Sequence, residues 1–271
     1  MKLSVIMPTY NHETTIAQAI ESYLMQKHEF ESELIISDDA STDSTLSIAR
    51  RYAETNPDIR IISKSSNEGL ICNYRTLLEA ATGEYVAILE SDDYWTDAQK
   101  SEMQVSFLDS NPDFNLSFTR VAIIKGRDVE ITPDFKQLVE ERDNRLYEYM
   151  LLRSIIHSPS VIFRRNAFDK YCDINHYVNE KFVTFDYPVW MSLAANGKVH
   201  YLSSVCAAYR VSASSLSNTE SLKKRLSFER GINQIRSYVV SLYGTGDISL
   251  LKVKMREVLI YSRIVWRNMF K

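Results

Sequence analysis

Strand-like and helix-like segments alternate over the first hundred residues, and this alternation constrains the fold more than any other feature of the chain. Four short runs rich in β-branched residues have the composition of strands buried on both faces; they are LSVIM at 3–7, LIIS at 34–37, IRIIS at 59–63 and YVAIL at 85–89. Between them, apolar residues recur at helical spacing in the segments 16–24, 46–52 and 70–81. This order predicts an α/β fold with a Rossmann-like, mostly parallel sheet and flanking helices, because each parallel pair needs a crossover.

The remainder of the chain has a less regular pattern. A short helix is predicted at 187–197, and strands are predicted at 115–126, 159–165 and 199–211. After residue 217 the chain becomes helical, and YGTGD at 243–247 divides this part into two helices. The sequence therefore predicts one domain at 1–217, followed by a C-terminal helical extension at 218–271.

The charge of the chain is unevenly distributed. A net charge of −3 predicts no nucleic-acid partner. Residues 218–271 nevertheless contain 11 Lys and Arg against 4 Asp and Glu, whereas the remainder contains 21 basic and 31 acidic residues. An acidic body with a basic extension predicts an anionic surface near the C-terminus.

The helical extension also carries an apolar stripe, which consists of Leu251, Met255, Val258, Leu259 and Trp266. Packing on the domain or on a second subunit is the usual fate of such a stripe. Contact with anionic lipid is the alternative, because basic residues lie between the apolar ones and upstream of them, at Lys223, Lys224 and Arg225.

Cysteine usage and the N-terminus favour a cytoplasmic protein, at the inner face of the membrane if the extension contacts lipid. The three cysteines are far apart in the chain, which argues against a disulfide framework and for a reducing compartment. The chain opens directly into KLSVIMP without the pattern of a signal peptide, and no apolar stretch approaches the ~20 residues of a membrane helix.

Polar side chains follow all four predicted strands of the first half, at the point where each strand ends. In an open parallel sheet these ends border the crevice in which ligands bind. The loops are PTYN at 8–11, DDASTDST at 38–45, SSNEG at 65–69 and ESDD at 90–93. Helix caps and turns would account for some of these residues, but two adjacent Asp residues at 38–39 exceed what a cap needs. We therefore predict a binding cleft at this edge of the sheet.

The acidic run is the strongest chemical signal among these loops. Glu90, Asp92 and Asp93 lie within four positions, directly after an apolar run. A solvated acidic turn is the simplest explanation. Mg²⁺ and Mn²⁺, however, bind one or two carboxylates together with substrate phosphates, and an acidic cluster beside a nucleotide-sized crevice suits such a site.

In combination, these motifs resemble those of family-2 glycosyltransferases of the GT-A fold. SVIMPTYN, SDDASTDST, NEGLICNYR, GEYVAILESDDYW and FVTFDYPVWMSLAANGKVHYLSSVCAAYR occur in that family's order, and the resemblance covers residues 3–210. It implies a nucleotide-binding half at 1–99 and an acceptor half at 100–217. The implied partners are a nucleotide-sugar donor, with uridine as its base by family habit, and a glycan or lipid-linked saccharide acceptor.

The resemblance also implies roles for individual residues on the donor side. Pro8, Thr9 and Tyr10 would flank the base, and Asp39 would hydrogen-bond it. Asn67, together with Asn73 or Arg75, would lie near the ribose or the diphosphate. The family's DxD element matches Glu90-Ser91-Asp92, with Glu in place of the first Asp.

For the reaction itself, the resemblance implies an inverting, metal-dependent transfer. Asp92 or Asp93 would bind Mn²⁺ or Mg²⁺ directly, and Asp186 would be the catalytic base. A carboxylate beside a helix N-terminus is held ionised by the helix dipole and can accept the proton of an acceptor hydroxyl. A helix cap is the simpler explanation of Asp186. Many relatives place a metal-binding His shortly after a late Tyr-Arg pair, where this chain has Ser212.

Three other functions fit parts of the pattern. A nucleotidyltransferase also combines an α/β sheet with acidic metal ligands, but the loop after the first strand lacks the expected glycines and basic cluster. A non-catalytic module that binds nucleotide sugars or glycans would fit if Glu90 and Ser212 reflect lost activity. A purely structural domain leaves the four polar loops unexplained.

Overall fold

The computed structural model describes residues 1–211 and 221–269. The first half follows the predicted alternation, in the order β1 (Leu3–Thr9), α1 (Ile16–Leu24), β2 (Ser32–Asp38), α2 (Thr45–Thr55), β3 (Ile59–Ser63), α3 (Leu70–Ala80) and β4 (Tyr85–Ile88). These strands lie in the order β3-β2-β1-β4, and every pair among them is parallel. Their carboxyl ends therefore meet at one edge of the sheet, as the sequence predicted.

The second half extends the same sheet with mixed pairing. Its elements are β5 (Tyr94–Trp95), α4 (Lys100–Ser110), β6 (Phe114–Lys125), β7 (Asp128–Ile131), α5 (Lys136–Glu141), α6 (Tyr147–Leu152), β8 (Ile162–Arg164), α7 (Arg165–Tyr171), α8 (Ile174–Asn179), α9 (Asp186–Ala195) and β9 (Lys198–Arg210). Strand β8 joins β4 to β6 by antiparallel pairing on both sides, β9 runs parallel to β6, and β7 forms a hairpin with β6. The predicted strands and the predicted helix of this half are all present.

Two apolar clusters cover the two faces of the sheet, because successive side chains of a strand point to opposite faces. In β1, Ile6 belongs to one cluster, whereas Val5 and Met7 belong to the other. Helices α3 and α9 pack on the first face, and α1, α2 and α4 pack on the second. Helices on both faces are what a sheet of near-continuous apolar strands requires.

The C-terminal extension forms two helices, α10 (Leu222–Tyr243) and α11 (Leu250–Met269), as predicted. Helix α10 packs against the first cluster through the buried residues Ile235 and Val239. Its Gly231 allows close approach to the domain, since a Cβ atom at that position would lie 2.3 Å from Cγ1 of Val183. The predicted boundary at residues 217 and 218 and the predicted role of Ser212 lie outside the described residues.

The prediction that the apolar stripe packs on the domain is wrong. Its members are 53–69% exposed. Helix α11 instead turns inward a different face, on which Val253 and Ile264 are 2% and 6% exposed. The inward face also carries an ion pair with α10 at Glu257, whose Oε1 lies 3.6 Å from Nη1 of Arg236. The helix therefore docks through a mixed apolar and charged face and leaves the apolar stripe outside.

Candidate membrane-spanning segments are absent from the part of the chain that the structure describes. None of its helices combines the length and the apolar content that crossing a bilayer requires.

Candidate active site

A cleft of about 880 Å³ opens at the carboxyl edge of the parallel strands. The sheet edge forms one wall, the N-terminus of α9 forms a second, and α10 with α11 forms a third. Nine of the twelve predicted site residues line the cleft: Pro8, Thr9, Tyr10, Asp39, Asn67, Asn73, Glu90, Asp92 and Asp186. Residues from four separate loops are thus brought together, while Arg75, Ser91 and Asp93 lie outside the cleft wall.

The end of β1 contributes an exposed aromatic ring to the cleft. Tyr10 is 43% exposed and lines the cleft, so its side chain is accessible to a ligand. Thr9 beside it is buried and lies 2.8 Å from the hydroxyl of Ser91. Ser91 in turn lies 2.6 Å from Nδ1 of His12, so its side chain ties the β1 loop to the β4 loop rather than facing the cleft.

Asp39 organises the loop that leads into α3. Its Oδ1 accepts a hydrogen bond from the backbone N–H of Glu68 at 3.0 Å, and its Oδ2 accepts one from Gly69 at 2.8 Å. Nζ of Lys64 lies 3.5 Å from the same carboxylate. Gly69 has a φ of +89°, a conformation that residues with a side chain rarely adopt. Asp39 therefore positions the loop that presents Asn67 to the cleft, and its contact with a base stays a prediction.

Asn73, on the first turns of α3, is buried in the cleft wall. Its amide donates to the backbone carbonyl of Ser37 at 2.9 Å, whereas its Oδ1 has no hydrogen-bond partner among the described residues. An unpaired buried acceptor costs about 1–3 kcal/mol, so this oxygen is available to a ligand donor such as a hydroxyl.

The acidic cluster forms as the sequence predicted, with one carboxylate oxygen each of Glu90, Asp92 and Asp93 within 4.8 Å of one another. Glu90 and Asp92 face the cleft, whereas Asp93 is fully buried. Oδ1 of Asp93 accepts from the backbone N–H of Arg210 at 2.8 Å, but its Oδ2 has no partner among the described residues. The guanidinium of Arg210 donates to the backbone carbonyl of Asp92 at 2.5 Å, so β9 holds the acidic loop in place.

Burial and neighbouring negative charge raise the pKa of two of these carboxylates, Glu90 and Asp93. Burial, followed by the charge of Asp92, raises the pKa of Glu90 to about 8, although the hydroxyl of Tyr74 opposes the shift by donating to its carboxylate. Burial, Asp92 and Glu90 raise the pKa of Asp93 as well. Clustered oxygen ligands, one of them a buried atom without a partner, fit a hard divalent cation, whose charge would compensate this repulsion.

Asp186 is the first residue of α9, as predicted, and it lines the cleft. Its Oδ1 accepts from the backbone N–H of Tyr187 at 2.7 Å and from the hydroxyl of Thr184. Its Oδ2 has one long contact, 3.4 Å from the hydroxyl of Ser158, and so keeps capacity to accept a further hydrogen bond. Asp186 is near enough to the acidic cluster that its charge contributes to the raised pKa of Glu90.

A stack of aromatic rings joins these two acidic groups. Phe185, directly before Asp186, stacks on Tyr74 with ring centroids 4.1 Å apart. The hydroxyl of Tyr74 donates to Oε1 of Glu90 at 2.6 Å. Tyr74 lies within NEGLICNYR and within the apolar helical pattern at 70–81, but no site role was predicted for it.

The far side of the cleft contains His157, for which the sequence left an acceptor-side role and a structural role open, and further residues that sequence reasoning did not assign to a site. His157 lines the cleft near Tyr209, with ring centroids 5.2 Å apart, and burial lowers the pKa of its imidazole. The C-terminal helices contribute six further residues to the cleft lining: Phe228, Glu229, Ile232, Arg236, Arg256 and Ile260. No local motif marks them, because they reach the cleft only through the docking of α10 and α11.

Comparison with known proteins identifies related sequences. The family model described as Glycosyl transferase family 2 matches residues 4–172. The uncharacterized protein Rv1520 of Mycobacterium tuberculosis is 35% identical over 209 residues, which cover 77% of this chain and 58% of that protein, so the match spans little more than half of its length. The UDP-Glc:alpha-D-GlcNAc-diphosphoundecaprenol beta-1,3-glucosyltransferase WfaP of Escherichia coli is 32% identical over 219 residues, covering 79% of each chain.

Solved structures share the fold. The crystal structure of Staphylococcus aureus TarS 1-349 in complex with UDP-GlcNAc superimposes with a TM-score of 0.66 at 21% sequence identity. The superposition covers 98% of this chain and 72% of the TarS chain, so α10 and α11 are included in the shared architecture.

Proposed function

Because the chain belongs to glycosyl transferase family 2, we propose that it transfers a sugar from a nucleoside-diphosphate donor to a hydroxyl group of a lipid-linked saccharide, with inversion at the anomeric carbon. One observation carries the proposal. Asp186 and the carboxylates of Glu90 and Asp92 face the same cleft, close enough that Asp186 contributes to the raised pKa of Glu90. A base and a cluster able to hold a cation beside a diphosphate are the two parts that such a transfer needs.

The donor nucleotide binds along the edge of β1 and β2 in this proposal. The exposed ring of Tyr10 stacks on the base, and the loop held by Asp39 borders it. Asn73 offers its unpaired Oδ1 to a donor hydroxyl. A uridine nucleotide is supported by the TarS structure of the same fold, which was solved with UDP-GlcNAc. Residues 1–99 then form the nucleotide-binding half, and 100–217 form most of the acceptor half.

A divalent cation, Mn²⁺ or Mg²⁺, fits the acidic cluster. Asp92 would hold it from the cleft side, with Asp93 and Glu90 as the neighbouring carboxylates. When bound, the cation supplies positive charge that compensates the leaving diphosphate. The chain's own contribution is to hold these carboxylates in a fixed arrangement, through Arg210 on one side and Tyr74 on the other.

Asp186 acts as the base. Its Oδ1 is occupied by Tyr187 and Thr184, so Oδ2 accepts the proton of the acceptor hydroxyl. The acceptor oxygen forms its bond to the anomeric carbon from the face opposite the diphosphate, and the bond from that carbon to the phosphate oxygen breaks with its electron pair leaving on the diphosphate.

The acceptor enters between α9 and the C-terminal helices. WfaP, whose name specifies a diphosphoundecaprenol-linked saccharide, supports an acceptor of this class. The wall formed by Phe228, Ile232 and Ile260 is apolar, and Arg256, whose Nη1 has no hydrogen-bond partner among the described residues, adds positive charge suited to an anionic head group.

Replacement of the base tests the proposal. We expect Asp186→Asn to lower transfer by about 10²- to 10⁴-fold, since proton abstraction typically contributes that much. Binding of UDP with Mn²⁺, measured by calorimetry, should be nearly unchanged because the nucleotide loops are untouched. Asp128→Asn, an exposed position on β7, is the matched control. Transfer at the wild-type rate by Asp186→Asn would show that another group is the base.

A further inference from the structure

The outward face of α11 is the largest run of exposed apolar side chains on any helix in the described ranges. The five stripe residues fall at positions i, i+4, i+7, i+8 and i+15, so they lie on one side of the helix. Each is more than half exposed. Isolated exposed apolar residues are ordinary, but four on one helix face within 251–259, followed on the same face by a Trp beyond Ser262, mark a contact surface.

The exposure is not explained by a failure of the helix to pack. Val253 and Ile264 are buried against the rest of the protein, and Arg256 and Ile260 form part of the cleft wall. Helix α11 thus already has an inward face, and the stripe is a second apolar face, separate from it. Burial of that second face requires something outside the described fold.

The charges around the stripe indicate what covers it. At 100° per residue, Lys252 and Arg263 border the stripe on one side, and Lys254 borders it on the other. Within Leu250–Met269 the acidic residue is Glu257, which is 14% exposed and engaged by Arg236 and Lys254. The outward half of α11 is therefore apolar at its centre and basic at both edges.

We propose that α11 lies in the interface of an anionic phospholipid bilayer. The stripe enters the boundary between head groups and acyl chains, and Lys252, Lys254 and Arg263 contact lipid phosphates. A helix with apolar residues, a Trp and basic borders has the composition of interfacial helices, and each basic residue near an anionic surface strengthens binding. No part of this step depends on the glycosyltransferase assignment.

A second copy of the chain is a poorer occupant. A two-fold interface through the stripe would place the basic borders of one copy against those of its partner, because such an interface uses the same patch twice. No acidic residue on the outward half of α11 is there to compensate this repulsion. An anionic bilayer supplies the complementary charge on all sides.

The position of α11 links this surface to the cleft. The helix that contacts the bilayer also presents Arg256 and Ile260 to the cleft. Docking would therefore bring the cleft next to the head-group layer, where the saccharide of a lipid-linked acceptor lies. This consequence rests on the proposed function, whereas the docking itself does not.

Vesicle co-sedimentation of the full chain tests the proposal without any sugar donor or acceptor. We expect binding to vesicles of mixed phosphatidylglycerol and phosphatidylcholine, weaker binding to phosphatidylcholine alone, and a loss of binding as salt is raised. Equal sedimentation with both vesicle types, or none with either, would overturn the proposal.

A matched pair of variants locates the surface. Val258→Glu should weaken binding to the anionic vesicles at least about tenfold, because it places a carboxylate in the apolar stripe. Val129→Glu makes the same change at an equally exposed site on β7, 65% against 67% exposed, and should bind as the wild type does. Thermal unfolding of both variants checks that they fold.

A measurement of self-association tests the other candidate occupant of the stripe, a second copy of the chain. Light scattering of the wild type without lipid should show no concentration-dependent dimer. A dimer that Val258→Glu dissolves, combined with no vesicle binding, would assign the stripe to a second copy and overturn the proposal. Binding of UDP by Val258→Glu is measured in parallel, so that a failure of docking and a failure of the proposed function give different results.

Discussion

The hydroxyl of Tyr74 donates a hydrogen bond to Oε1 of Glu90 at 2.6 Å, from a ring that stacks on Phe185. This contact gives a reason for Glu at the first position of the acidic motif, because the longer side chain reaches the phenol. It also links the acidic cluster to the segment that carries Asp186. Two of the predicted functional groups are thus connected through a residue that no motif singled out.

Tyr74→Phe isolates this hydrogen bond, since Phe keeps the stacking ring. Loss of the donor leaves a buried carboxylate oxygen unpaired and should raise the pKa of Glu90 further, as the bond now lowers it. We expect binding of UDP in the presence of Mn²⁺ to weaken by about 1.5–3 kcal/mol, the range for hydrogen bonds to charged groups. Calorimetry gives the affinity, and an affinity equal to that of the wild type would mean that Glu90 takes no part in binding.

Asp92→Asn should have opposite effects with and without the cation. Without metal, the substitution removes a negative charge that raises the pKa of both Glu90 and Asp93, so the variant should unfold at a higher temperature than the wild type. With Mn²⁺ and UDP, the wild type should gain stability from binding and the variant should gain much less. A thermal-shift series with and without both ligands measures this crossover. Equal ligand-induced shifts in the two proteins would exclude Asp92 as a metal ligand.

Lys100, which is not among the residues that line the cleft, provides a pH prediction. Its ammonium is fully buried over the ring of Trp95 and has no hydrogen-bond partner among the described residues. Burial lowers the pKa of Lys100 to about 7 from its usual value of 10.5. Between these two pH values the unfolded chain binds one more proton than the folded chain, so the free energy of unfolding rises with pH in this window.

Lys100→Met should therefore raise the free energy of unfolding most at or below pH 7, by roughly 2–4 kcal/mol after allowance for the lost cation–π contact. Above pH 7 the advantage of the variant should shrink by up to about 1.4 kcal/mol per pH unit. Urea unfolding of both proteins at pH 6, 7, 8 and 9 measures the difference between their free energies of unfolding on either side of the folded-state pKa of Lys100. A difference that does not change with pH would show that Lys100 stays charged in the folded protein.

Gly231 supports the third wall of the cleft. Because a Cβ atom there would collide with the methyl groups of Val183, Gly231→Ala should destabilise the protein by about 1–3 kcal/mol despite the better helix propensity of Ala. Adding Val183→Ala removes the two closest contacts, which are with the methyl groups, and should restore part of the loss. Chemical denaturation of the two single variants and the double variant measures this coupling. Strictly additive effects would show that α10 does not rely on this close approach.

Much of the fold was predictable because its determinants are local. The apolar runs and helical stripes of the first half predicted β1 to β4 and the helices between them, and parallel pairing then brought the loops at Tyr10, Asp39 and Glu90 to one edge. The position of Asp186 at the start of α9 also follows from local sequence, since Pro188 suits a first helical turn. These features depend on residues close together in the chain.

Tertiary structure alone decided how distant segments meet. Strand β8 lies antiparallel between β4 and β6, and no local pattern specifies such a long-range pairing. In the acidic loop, Asp92 faces the cleft while its neighbour Asp93 turns into the interior to accept from Arg210 on β9. The sequence by itself determined that a carboxylate cluster forms at the sheet edge.

The C-terminal helices show the same division. The sequence predicted that the chain after residue 217 forms two helices, which the structure has at Leu222–Tyr243 and Leu250–Met269, and that one of them carries an apolar stripe. It did not determine which face turns inward, because α11 has two faces able to bury apolar side chains. Complementarity with α10 and the cleft selected the face with Val253, Arg256 and Ile264, and the stripe was left outside because only the assembled surface sets which face finds a partner.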